Sequence, residues 1–229
     1  EARDLYERLR QSINEGWPLD LQDYDQALEA KAEGGDAEAQ YAMAALYAVG
    51  LGGVSRDEKR AYGYATKAAA QDHAGAQYFV AICTEEGRHT KRDAAKARAL
   101  YEKAAAAGHL GALNNLAVLQ EEEGDEKAAV AGYTKAAASL ANAQYNLGRL
   151  IEAGKAEGDA AALYRKAALQ GHQAAQNNLG VMHQTGKGAE KDLEEAERWF
   201  RYAANQGHLE AMFNLGQFTA LGQGGLQVD

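Results

Sequence analysis

The chain has 229 residues, enough for one or two domains that each bury a hydrophobic core. Its 33 acidic residues outnumber the 24 basic ones, and the net charge of −9 excludes the basic surface that nucleic-acid binding requires. The single cysteine, Cys83, excludes an intrachain disulfide and a cysteine-rich zinc site. The apolar runs are much shorter than the ~20 residues of a membrane-spanning helix, so we expect no membrane insertion.

Residues 1–23 precede the repeated part of the chain and predict an N-terminal capping helix. Leu5, Leu9 and Ile13 recur at a spacing that places them on one face of this helix. The chain begins at Glu1 without an initiator methionine, so it is either a processed chain or a trimmed one; together with the acidic composition, this suits a processed, exported bacterial protein of the periplasm. A cytoplasmic location stays open as the alternative.

Residues 24–229 contain about six copies of one motif. An alanine, here called the anchor, recurs at Ala39, Ala76, Ala112, Ala143, Ala175 and Ala211. Apolar residues follow each anchor after four and seven residues, as Met43 and Leu46 do in the first copy, and this stripe predicts a helix with one buried face. The fifth residue after each anchor is always Ala or Gly, which lets a second helix approach closely.

Each complete copy also contains a second helix, because strong helix formers dominate the stretch before the next anchor. The predicted second helices cover residues 62–70, 97–107, 128–138, 160–169 and 193–205. Asp57 is predicted to cap the first of them, and glycines such as Gly50 and Gly87 are predicted to form the turns. The last copy lacks a second helix, so we expect a monomer with weak self-association through its open C-terminal end.

These copies resemble Sel-1-like repeats, which are related to the tetratricopeptide repeat. The fifth copy carries the resemblance best, in the stretch AAQNNLGVMHQTGKGAEKDLEEAERWFRYAANQGH from Ala174 to His208, whereas the third and fourth copies depart from the pattern in their loops. The resemblance implies an all-α fold, a right-handed α-solenoid (α/α superhelix) of stacked antiparallel helix pairs. It also implies an adaptor, scaffold or inhibitor of another protein rather than an enzyme.

The residues that could carry chemistry have simpler structural explanations. His73, His109, His172 and His208 share one turn position, and helices stacked ~8–10 Å apart cannot bring them to one metal ion. We expect them to pack over the next helix. The glycine loops join helix to helix and lack the strand that precedes a phosphate loop, and Cys83 occupies a core position. We therefore expect no catalytic residue, no cofactor and no metal.

The candidate binding site lies on the first helices, at the second, sixth and ninth residues after each anchor, which point away from the apolar stripe. We expect these positions to line a concave groove. The predicted groove residues are Tyr41, Tyr78, Ile82, Glu85, Asn114, Glu121, Tyr145, Arg149, Glu152, Asn177, Phe213 and Gln217. If these positions line a groove, replacing Tyr78 and Tyr145 with alanine should weaken partner binding and leave the melting temperature nearly unchanged. The alternative, given equal weight, is that the tyrosines pack against the neighbouring helix. The asparagines at the third residue after the anchor, such as Asn115, are expected to satisfy turn carbonyls.

The expected partner is a protein with a basic or mixed surface, because acidic clusters attract basic ones. Bacterial members of the resembled family include immunity proteins that sequester secreted (type VI) antibacterial effectors such as phospholipases, and this is the favoured function. Two alternatives stay open. One is a regulatory or assembly scaffold, and the other is a cell-wall-binding or hydrolytic, β-lactamase-like repeat protein, which binding to peptidoglycan fragments or turnover of a β-lactam would reveal.

Overall fold

A computed structural model of the chain describes residues 26–222, and the capping helix predicted at residues 1–23 lies outside them. Twelve helices and no strand occur in the described residues, which confirms the all-α prediction there. The helices are α1 (Gln26–Glu33), α2 (Ala37–Val49), α3 (Glu58–Ala69), α4 (Ala74–Glu86), α5 (Ala94–Ala106), α6 (Leu110–Glu122), α7 (Glu126–Ala136), α8 (Ala141–Glu152), α9 (Ala160–Leu169), α10 (Gln173–Thr185), α11 (Leu193–Asn205) and α12 (Leu209–Ala220). The even-numbered helices carry the anchors and are the first helices of their repeats. The odd-numbered helices from α3 to α11 are the second helices.

The chain divides into two compact units, residues 1–119 and 120–229, with the boundary inside α6. In the described part of the first unit, α2 packs against α1 and α3, and α4 packs against α3 and α5. Its core includes Met43, Leu46, Phe79, Ile82 and Tyr101. The apolar stripe predicted on α2 is therefore confirmed as a core-facing stripe.

In the second unit, α8 packs against α7 and α9, α10 packs against α9 and α11, and α12 packs against α11. One hydrophobic cluster includes Tyr164, Ala167, Leu179, Met182 and Trp199. A second cluster joins α11 to α12, where the rings of Phe200 and Phe218 meet edge to face with their centroids 6.0 Å apart. Each unit thus buries its apolar residues between helices that are neighbours in the chain.

Aspartates begin the second helices. The side chain of Asp57 accepts a hydrogen bond of 3.0 Å from the backbone N–H of Arg60, so the predicted cap of α3 is confirmed. The equivalent caps of the other second helices are Asp93, Asp125, Asp159 and Asp192. Since the aspartates stand upstream of the apolar pattern, α3, α5 and α7 begin up to one turn earlier than the pattern alone predicted.

Glycine ends the first helices of the first unit where the backbone turns left-handed. Gly50 ends α2 with φ of 76°, and Gly87 ends α4 with φ of 74°. In both cases the glycine N–H donates to a carbonyl of the last helical turn, at Leu46 and Cys83 respectively. The predicted glycine turns are therefore confirmed, because a residue with a Cβ is strained in this conformation.

The small residue five positions after the anchor receives an aromatic ring from the second helix of the same repeat. A Cβ atom at Gly148 in α8 would lie 2.8 Å from the ring of Tyr164, and one at Gly180 in α10 would lie 2.7 Å from the ring of Phe200. Both rings are fully buried. The expectation that this position permits a close approach of two helices is thus confirmed. No helix within residues 26–222 has the length and hydrophobicity of a membrane span.

Candidate functional site

The tyrosines predicted to line the groove lie against the turn histidine of the following repeat. The ring centroids of Tyr41 and His73 are 4.3 Å apart, those of Tyr78 and His109 are 4.5 Å apart, and those of Tyr145 and His172 are 4.6 Å apart. Tyr78 keeps only 5% of its surface exposed, and Tyr41 and Tyr145 are partly buried. These three rings therefore contribute to packing between successive repeats within each unit.

Glycines at the start of the following first helix make room for two of these rings. A Cβ atom at Gly75 would lie 2.5 Å from the ring of Tyr41, and one at Gly111 would lie 3.0 Å from Cζ of Tyr78. Both distances are shorter than carbon atoms tolerate without a shift of the ring. The contact could have been suspected from the sequence, because in both cases the glycine directly precedes the next anchor.

The other predicted groove residues differ widely in exposure. Ile82, Asn114 and Asn177 are buried, so they present almost no surface when the chain is alone. Asn177 accepts a hydrogen bond of 2.9 Å from Asn214, within the second unit. Glu85 and Glu121 are partly buried, whereas the exposed members are Arg149, Glu152, Phe213 and Gln217. The groove stays a prediction, and the residues with exposed surface are the ones that can carry it.

The glutamates nine residues after the anchor are each held by a tyrosine of the second helix of their own repeat. The hydroxyl of Tyr101 donates to Glu85 at 2.7 Å, that of Tyr133 donates to Glu121 at 3.0 Å, and that of Tyr164 donates to Glu152. The three tyrosine rings are fully buried. Each carboxylate is thus fixed at the surface by a group that is itself fixed in the core.

Asparagines from the next first helix complete this arrangement. Asn115 donates to the hydroxyl of Tyr101 at 3.3 Å, and Asn178 hydrogen-bonds to the hydroxyl of Tyr164. The prediction that these asparagines satisfy turn carbonyls is wrong for these two residues. The buried tyrosine hydroxyl donates its hydrogen to a glutamate, and its oxygen then accepts a hydrogen bond from the asparagine amide that lies within reach.

One of the held carboxylates binds a guanidinium of the same chain. Nη2 of Arg149 lies 2.6 and 2.7 Å from the two carboxylate oxygens of Glu121. Burial raises the pKa of Glu121, but the hydrogen bonds from Arg149 and Tyr133 outweigh it and hold that pKa below its ordinary value. Burial, and then the hydrogen bond to Glu121, raises the pKa of Tyr133, so the phenol keeps its proton and remains a donor.

The four turn histidines are the N-caps of first helices. Nδ1 of each accepts a hydrogen bond of 3.2 Å from the backbone N–H three residues later, and the four histidines are His73, His109, His172 and His208. The pKa of His109 and of His172 is lowered to about 4, mainly by burial and to a smaller extent by the charge of a neighbouring turn histidine, His73 and His208 respectively. The rings of His109 and His172 are therefore neutral at pH 7, with Nδ1 as the acceptor. Packing over the next helix was expected of these histidines from the sequence, but their role as caps was not; in the first repeat Asp36 forms this cap.

The remaining candidates for chemistry have structural positions. Cys83 is buried in α4, as expected, and burial raises the pKa of its thiol to about 12. Among residues 26–222, no three His, Cys, Asp or Glu side chains gather where they could hold a metal ion. A cleft of about 470 Å³ that the sequence analysis missed lies between α9 and α11, lined by Arg165, Leu169, Arg198, Trp199 and Tyr202 among others.

Comparison with known proteins places these features in a family. The model of the Sel1 repeat matches residues 37–73, 74–109, 141–172, 173–208 and 209–229, which is more than half of the chain. Residues 110–140, between the matched ranges, belong to the third copy, which departs from the pattern in its loop. A search of curated proteins found no match.

Solved structures show the same fold. The protective antigen c5321 of uropathogenic Escherichia coli, which has an SLR fold, is 29% identical with a TM-score of 0.79 and covers 100% of this chain and 51% of that chain. A Sel1 repeat protein from Oxalobacter formigenes is 30% identical with a TM-score of 0.72 and covers 83% of this chain and 57% of that chain. This chain therefore spans a little over half the length of these two relatives.

The immunity protein Pa5087 from Pseudomonas aeruginosa is more distant, at 20% identity and a TM-score of 0.53 over 92% of this chain and 81% of that chain. Its likeness concerns the fold alone. The helix pairs and their apolar stripes recur with the same spacing as the ranges that match the Sel1 repeat model. The chain belongs to the Sel1 repeat family, α-solenoids whose repeats serve as protein-interaction modules.

Proposed function

We propose that the chain captures another protein through the exposed surface of its first helices, and that the held carboxylate of Glu152, which lies exposed, makes the central polar contact. The observation that carries the proposal is the recurrence of the tyrosine–glutamate pair at Glu85, Glu121 and Glu152. A carboxylate fixed by a buried donor loses little conformational freedom on binding, which favours affinity. It also suits a partner with basic groups, as the excess of acidic residues does.

We further propose that the partner is a secreted antibacterial effector that the chain neutralises in the periplasm. The immunity protein from Pseudomonas aeruginosa supports this only by showing that the fold serves such a purpose. A phospholipase is the class of effector that we favour.

Affinity capture from the source organism, followed by mass spectrometry, tests the proposal with a matched pair of variants. E152Q removes a held carboxylate, whereas E157Q removes the same charge from the exposed turn that follows α8. We expect E152Q to recover less of the captured protein and E157Q to recover as much as the unmodified chain. Equal recovery by both variants, combined with a loss in Y202A, would transfer the binding site to the cleft between α9 and α11.

The immunity function is tested with the captured protein. It is expressed in the periplasm of a bacterium with and without the chain, and growth is followed. We expect growth to stop without the chain and to recover with it. A captured protein that is harmless to the cell would refute the immunity function and would leave a scaffold as the explanation.

A further inference from the structure

We infer that Glu152, together with Tyr164, forms a binding site for a guanidinium group, into which a partner protein inserts an arginine side chain. This inference rests on the proposed function and specifies the chemistry of the partner. It is drawn within the second unit, from a comparison of two successive repeats that share one arrangement of side chains.

The first of these repeats contains the occupied form of the site. Glu121 at the end of α6 accepts the hydroxyl hydrogen of Tyr133, and both of its oxygens accept from the guanidinium of Arg149. Arg149 stands six residues after its anchor in α8, the next first helix. The chain therefore supplies its own example of the ligand: an arginine that approaches a tyrosine-held glutamate from the neighbouring first helix.

The following repeat contains the same site without its arginine. Glu152 at the end of α8 accepts the hydroxyl hydrogen of Tyr164, and it is exposed. The position that corresponds to Arg149 is Val181 in α10, which has no charge. Within residues 26–222, Glu152 has no arginine or lysine partner, so its outward face can accept a cation from another molecule.

The geometry favours arginine over lysine. Tyr164 restrains the carboxylate by donating to one of its oxygens, and the tyrosine is itself held in place, because its ring is fully buried against Gly148 and its hydroxyl also receives a hydrogen bond from Asn178. In the chain's own example, Nη2 of Arg149 reaches both carboxylate oxygens of Glu121, and the guanidinium carries further donors in the same plane for neighbouring acceptors, whereas an ammonium binds as a compact point charge. The expected ligand is therefore an exposed arginine of the partner, not a general basic patch.

Fluorescence anisotropy with dye-labelled hexaarginine and hexalysine peptides tests the site on the full chain at physiological ionic strength. We expect the unmodified chain to bind hexaarginine more tightly than hexalysine. E152Q should weaken the binding of hexaarginine about fivefold, near the upper range for an exposed ion pair, and should remove the preference. E157Q, which changes the net charge equally, should keep the preference and weaken binding by less than about twofold. Equal effects of E152Q and E157Q would overturn the inference, because binding would then follow net charge.

A second measurement uses an internal arginine. V181R places a guanidinium where Arg149 stands one repeat earlier, so we expect it to abolish the preference for hexaarginine. The stabilities of V181R, E152Q and the double variant, measured by urea denaturation, should show favourable coupling between the two positions. Absence of coupling would overturn the site even if V181R lowers the overall stability, since a double-mutant cycle removes that common effect.

The two proposals fail in different ways. If the arginine preference depends on Glu152 but capture from the source organism does not, the chain binds a guanidinium at this site but the partner does not use it, so the polar contact proposed for the partner is wrong. If E152Q weakens capture but the peptides show no preference for arginine, the proposed function stands and the inference about arginine is wrong.

Discussion

Acidification should destabilise the protein through its histidine caps. A protonated imidazole cannot accept the backbone hydrogen bond that Nδ1 receives at the start of a first helix. Burial lowers the pKa of His109 and His172 from 6.5 to about 4, whereas the unfolded chain binds these protons near the ordinary value. Since the unfolded state then holds more protons, the contribution of the two histidines is complete above about pH 6.5 and is lost as the pH falls toward 4.

The size of the effect follows from the width of this window. One pKa unit corresponds to about 1.4 kcal/mol, so each histidine should lower the free energy of unfolding by about 3.5 kcal/mol across the full interval. Within the window, the two histidines together should produce a slope of about 3 kcal/mol per pH unit. This is large against a total stability of roughly 5–15 kcal/mol for a natural domain.

Urea denaturation followed by far-UV circular dichroism at about pH 7, 6 and 5 measures this slope. H109N and H172N keep a side chain that caps helices but cannot be protonated, so each should remove about half of the slope. D36N changes the equivalent cap of α2 without removing a histidine and should retain the full slope. An unchanged slope in the double variant H109N/H172N would refute the reasoning, because the pH dependence would then arise elsewhere.

Three further outcomes follow from the packing. Y78A should lower the stability by about 3 kcal/mol, because the ring is buried against His109; an unchanged melting temperature would instead support its role in a groove. G180A should lower the stability by about 1–3 kcal/mol, because the added Cβ meets the ring of Phe200. G216A, at the same repeat position but with open space around it, should raise the stability by up to about 1 kcal/mol, so the two melting temperatures should move in opposite directions. Y164F should lower the stability by about 1 kcal/mol and should also reduce the preference of the chain for hexaarginine; a preference that survives would show that the hydroxyl does not orient Glu152.

The sequence predicted the repeat architecture because the relevant signals are local. An apolar stripe such as Met43 and Leu46 depends only on positions within one helix, and a cap such as Asp57 depends on the three residues that follow it. Helix pairs that stack on their neighbours repeat these local signals at a regular interval. The same regularity explains why the second helices were located to within one turn.

The surroundings of the predicted groove residues could not be obtained in this way. Helical periodicity gives the direction of Tyr78 relative to its own helix, but its burial is decided by His109 and Gly111, which belong to the next repeat. The role of the histidines was missed for a related reason. Histidine is an uncommon N-cap, and its neutral form is established by burial that only the folded chain provides.

The tyrosines of the second helices link the core to the proposed binding face. The ring of Tyr164 fills the space above Gly148, and the hydroxyl of the same side chain orients Glu152 at the surface. From the sequence alone, Glu152 is therefore assigned to a solvated surface position, because Tyr164, the residue that holds its carboxylate, lies in another helix. The packing of α8 against α9 therefore determines how the carboxylate is oriented. A larger side chain at Gly148 would therefore displace the ring of Tyr164 and with it the hydroxyl that holds Glu152, although the glycine itself is buried and lies away from the surface.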